Sequence, residues 1–139
     1  MALSRIELRV LSELKLSDSK LLLDSASYSN AYYLAGYSVE LGLKACVARQ
    51  IRQDEIPDKE LVSRVYTHNF ETLAGLAGLK ADLKVQQDAD HKFQAYWGIT
   101  AEWSPDARYA THDSMSAQLL WQAIGDPEHG VLKWIRTHW

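Results

Sequence analysis

Cysteine is nearly missing from this sequence: Cys46 is the only one in 139 residues. One thiol cannot close an internal disulfide. The fold must therefore hold by burial, and a chain of this length suits one domain, residues 1–139, with a full core. Cys46 sits in the apolar stretch KACVA and reads as a small core side chain rather than a nucleophile. Long apolar runs are missing too. No stretch of roughly eighteen residues is apolar and free of charge, so no membrane span is expected. The opening MALSRIELRVLSELK carries charges every few residues and shows no apolar leader core. A reducing, cytoplasmic setting is the expectation. Positive charge is in deficit, 15 Lys and Arg against 18 Asp and Glu, for a net charge of −3. That speaks against a surface coated for nonspecific duplex binding and leaves room for a local basic pocket. The sequence has no P-loop, dinucleotide fingerprint or nucleophile elbow. Its histidines, His68, His91, His112, His129 and His138, are scattered without the close pairs of a zinc site, so neither metal nor cofactor is expected.

What is present is helical periodicity. Residues 4–25 place Ile6, Val10, Leu14 and Leu21 at helical spacings, with Ser17 to Ser19 as a point of interruption. SYSN reads as a turn with Asn30 as N-cap, and a second helix spans 31–51. RQDEIPDKE is a polar break. Leu61, Val62, Val65 and Tyr66 suggest a short helix, His68-Asn69 a break, and Phe70, Leu73 and Leu76 another short helix. Residues 80–97 read as one helix. Ser104-Pro105-Asp106 opens a further helix, 114–124 forms another, and Val131, Ile135 and Trp139 mark the last. No segment alternates as a strand does. The chain is expected to be all-α, an up-and-down bundle of five to seven helices around the 31–51 helix.

That helix, within NAYYLAGYSVELGLKACVAR, poses the main question. It is apolar, yet Glu40 and Lys44 lie near its middle. A buried charge is costly unless paired or employed. Ala35, Ser38, Gly42 and Ala45 form a small-residue stripe where another backbone can come close. Tyr33, Tyr37, Glu40 and Lys44 share a second face, a polar seam with two tyrosines. The seam reads either as an ordinary ion pair or as a partly buried interface or pocket. Five tryptophans and seven tyrosines supply core and interface anchors, Trp121, Trp134 and Trp139 among them.

AYYLAGYSVELGLKACVAR, followed by YTHNFETL, Trp103, Arg108-Tyr109 and HGVLKWIRTHW, resembles the HEPN (higher eukaryotes and prokaryotes nucleotide-binding) domain, in particular small stand-alone bacterial members. The resemblance covers nearly the whole chain. It implies a helical bundle that forms a homodimer, and a nucleotidyltransferase partner in a toxin–antitoxin or defence pair. It also implies Lys44 and His68 as ligand contacts. Some HEPN proteins are metal-independent ribonucleases with an Arg, four to six residues, then a His. Here Arg108 and His112 have three residues between them, as do Arg64 and His68. That departure favours a binding module over an enzyme.

Arg108 reads as an anion binder at a helix start beside Tyr109. The expected ligand set adds to Arg108 and Tyr109 the Lys44 and His68 that the resemblance implies, all facing a nucleotide or RNA phosphate. One alternative is a divergent endoribonuclease using Arg108 and His112 on one helix face. The other is a purely structural dimer.

Overall fold

The computed structural model describes residues 3–139 and contains, among them, eight α-helices, one 3-10 helix and no strand. The two long helices, α1 (Arg5–Asp24) and α2 (Tyr28–Arg49), form an antiparallel hairpin. The short helices α3 (Lys59–Arg64), α4 (Phe70–Leu76), α5 (Lys80–Ala89) and α6 (His91–Ala101) follow. Then come the 3-10 helix Pro105–Tyr109, α7 (Ser114–Gly125) and α8 (Val131–Arg136). The all-α expectation holds, and α2 is the central helix, packed by α1, α4, α7, α8 and the 3-10 segment.

The count exceeds the expected seven for a local reason. Residues 80–97 do not form one helix. Asp90 leaves helical geometry at φ −138°, and its carboxylate accepts the Lys92 and Phe93 N–H groups, starting α6 afresh. Three other boundaries also differ. Ser17 to Ser19 do not interrupt α1. The Ser19 hydroxyl instead donates to the Ala31 carbonyl at 2.6 Å, and Ser12 donates to Ser38 at 2.6 Å. These serines are small donors where two helices press together. Asn30 is not an N-cap. Ala26 takes a positive φ, the turn closes within three residues, and α2 is already wound at Tyr28. The segment opened by Ser104-Pro105 is a five-residue 3-10 helix rather than an α-helix, and Ser104 makes no side-chain cap.

The small-residue stripe is used within the chain. A Cβ on Gly42 would lie 3.1–3.3 Å from side chains of Ile135, Ser12 and Leu132, so α1 and α8 already occupy that side. Ala35, Ser38 and Ala45 are fully buried. That stripe is therefore not a face free for a second copy. Trp134 and Trp139 are core residues, Trp121 is half-buried against α1, and Cys46 is buried with its thiol pushed up to about 12 by burial.

Candidate functional site

Glu40 is the most unusual residue of the core. It is 1 % exposed and charged side chains are almost never so buried alone. Two groups compensate it. The Lys44 ammonium, one turn along α2, lies 3.4 Å from Oε2. His68 Nδ1, from the connection between α3 and α4, lies 2.5 Å from Oε1. An ionised carboxylate only accepts, so His68 donates from Nδ1 and its Nε2 is the ring's open end. His68 itself is exposed, and Lys44 is partly shielded. Glu40 and Lys44 thus form an i, i+4 ion pair, one that is shielded rather than solvated. Local sequence explains how His68 arrives there. Asn69 caps α4 by accepting the Thr72 N–H at 2.9 Å, and Phe70 is anchored in the core, which pins the preceding histidine against α2.

The tyrosines extend the seam away from Glu40. Tyr33 and Tyr37 rings stand 5.9 Å apart, and Lys15 of α1 places its ammonium 5.9 Å over Tyr37. Burial, then the charge of Glu40, raises the Tyr37 hydroxyl above the ordinary tyrosine pKa, so it stays a neutral donor. Behind them lies Trp103, stacked on Phe70 at 5.6 Å and on Tyr33 at 6.1 Å. It fits only because residue 36 is glycine; a Cβ there would lie 2.2–2.3 Å from three indole carbons. Trp103 Nε1 is buried without a protein partner.

Trp103 leads directly into the 3-10 helix, which brings Arg108 to the far end of the seam. The Arg108 guanidinium lies 4.7 Å over the Tyr109 ring. Hydrogen bonding to Tyr109 and, more weakly, to Tyr33 raises its pKa further above the ordinary arginine value. It stands in the last turn of the 3-10 helix, so the expected helix N-terminus does not face its ligand. Its neighbours are aromatic hydroxyls instead.

The structure therefore sets Tyr33, Tyr37, Glu40, Lys44 and His68 along one seam, and the 3-10 segment that carries Arg108 and Tyr109 packs on α2. It does not bring His112 to them through a shared helix face. The chain is extended at Ala110, which ends the 3-10 helix before residue 112. The His112 ring lies flat on Tyr32 at 3.6 Å, its backbone N–H donates to Ser29, and its Nε2 is buried without a protein partner. Two contributors were missed in the sequence. Lys15 carries no local signal, because its role depends on which face α1 turns toward α2. Gly36 does carry one: a glycine inside an apolar helix invites the question of what presses on it.

Among the described residues no three of His, Cys, Asp or Glu converge as a metal site, and no helix is long and apolar enough to cross a membrane. The class defined by fold and site is an all-α bundle carrying one buried, doubly compensated carboxylate beneath an aromatic seam edged by cations. Compared with known proteins, the chain matches no family model, no curated protein and no solved structure.

Proposed function

We propose that this protein is a HEPN-like binding module whose α2 seam takes a phosphate-bearing ligand, a nucleotide or a short RNA segment. The observation that carries the reading is the alignment of basic side chains along one aromatic seam. Arg108 stands at one end beside Tyr33, Lys15 stands over Tyr37, and Lys44 and His68 stand at the other end. Tyr33 to Lys44 spans roughly 16 Å at 1.5 Å per helical residue. Guanidinium and ammonium groups meet phosphate oxygens, and the exposed Tyr109 ring, with the half-buried Tyr33 and Tyr37 rings, offers a face to bases. Glu40 keeps the seam from repelling itself and orients His68. The resemblance of the α2 motif adds a nucleotidyltransferase as the expected protein partner, in a toxin–antitoxin or defence pair.

Binding is tested by titrating labelled single-stranded RNA and nucleotides against wild type, Arg108→Ala and His112→Ala. The reading expects weak binding that falls about tenfold in Arg108→Ala and persists in His112→Ala. No binding by wild type, or equal binding by Arg108→Ala, would reject it. Cleavage of the RNA that disappears in His112→Ala would instead support the ribonuclease alternative built on Arg108 and His112.

A further inference from the structure

Helices α3, α4 and α5 border an open cleft of about 450 Å³ that shares no lining residue with the α2 seam. That volume falls within the roughly 300–1,000 Å³ of small-molecule sites. Its floor is apolar, built from buried Ala74 and Leu83 and half-buried Leu76. Its rim carries Arg64 at the end of α3, Glu71 in α4 and Lys80 at the start of α5. Two details set this cleft apart from an ordinary surface hollow. Trp97 is 2 % exposed, and its indole N–H donates to Glu71 Oε1 at 2.6 Å. That bond fixes the carboxylate at the rim, and the other oxygen, Oε2, takes no donor among the described residues. The second detail is Gly75. It lies within α4, and a Cβ there would meet nothing within 4 Å, so no packing partner requires a glycine. The left-handed turn that ends α4 is made by Gly78 instead. A helical glycine is disfavoured relative to alanine. What the missing side chain does provide is an open cleft, because a long side chain at 75 would enter it.

From this cleft we infer a binding site for a free α-amino acid with an aliphatic side chain. The inference stands apart from the phosphate reading. An α-amino acid carries a carboxylate, an ammonium and a side chain on one carbon, and the cleft offers a partner for each. The Lys80 ammonium and the Arg64 guanidinium take the carboxylate. Glu71 Oε2 takes the ammonium, with Trp97 holding the carboxyl group in place. The aliphatic side chain lies on Ala74, Leu76 and Leu83, where it leaves water. Neither Lys80 nor Glu71 forms an ion pair among the described residues, so both charges are open to a ligand. Arg64 spends Nη1 on Glu60 at 2.9 Å, an exposed i, i+4 contact, and keeps its other guanidinium donors. A phosphate suits the cleft less well, because the fixed Glu71 carboxylate would face it with like charge.

The test follows the backbone amide signals of α4 and α5 by NMR as L-leucine is added to the full chain. Two analogues each lack one handle: isocaproate has no ammonium, and L-leucinamide has no carboxylate. The inference predicts saturable shifts with a dissociation constant on the order of 1 mM, and binding at least about tenfold weaker for either analogue. Gly75→Leu is expected to abolish binding by filling the cleft. Gly75→Ala, whose methyl meets nothing, keeps both fold and binding. Lys80→Gln, at an exposed position, should weaken leucine about tenfold and leave leucinamide unchanged, because only leucine offers a carboxylate. Circular dichroism checks that each variant is folded. No shift of α4 and α5 at about tens of millimolar leucine would overturn the inference. So would analogues that bind as well as leucine, or leucine binding that Lys80→Gln or a folded Gly75→Leu leaves intact.

Discussion

Glu40 shows what a single residue can decide. Its carboxylate has left water, and the loss is offset by Lys44 at 3.4 Å and His68 at 2.5 Å. Removing one partner leaves the other in place, so the cost should fall short of the roughly 3–5 kcal/mol seen when a buried pair is broken completely. Lys44→Met is expected to destabilise the protein by about 2 kcal/mol in chemical denaturation. A change within about 0.5 kcal/mol, the range of ordinary surface substitutions, would contradict the account. Gly36 is the steric counterpart. Gly36→Ala drives a methyl into Trp103, and overpacking of this kind costs about 1–3 kcal/mol or more. The loss should shrink in Gly36→Ala/Trp103→Leu, where the ring is gone. An equal loss with and without the indole would mean that the glycine matters for another reason.

At the level of elements, the short helices are set by caps. Asp90, Asp113 and Asp126 all hold pKa values below the ordinary aspartate value of 3.8. For Asp90 the hydrogen bond to His129 is the largest cause; for Asp113 it is the Ser116 N–H, and for Asp126 the His129 N–H. A depressed folded pKa stabilises the folded state above the unfolded value, and that contribution fades as pH falls through the folded one. Melting temperature is therefore expected to be flat down to about pH 4 and to drop below it, less steeply in Asp90→Asn. An acid limb of unchanged steepness in Asp90→Asn would contradict the assignment. Asp90 also shows what the sequence hid. ADHKFQ reads as continuous helix because Asp and His are tolerated in one. Only the packing of α6 against α7 and α8, with Asp90 reaching His129 at 2.7 Å, makes the break favourable. By contrast, the 31–51 helix, its buried face and the Tyr33–Lys44 seam were legible from spacing alone, since one helix fixes its own faces. Where two elements meet, as with Lys15 over Tyr37 or His112 on Tyr32, no local pattern announced the contact.

For the whole molecule, the net charge of −3 means that the proposed phosphate binding draws on one seam rather than on the surface at large. The salt dependence of single-stranded RNA binding measures this directly, because each phosphate contact contributes a slope of about −0.7 in log K against log salt. If Arg108, Lys15 and Lys44 each neutralise one phosphate, wild type should show a slope near −2, and Arg108→Ala a slope shallower by about 0.7. A slope near zero in wild type, or one that Arg108→Ala leaves unchanged, would contradict the seam as a phosphate site.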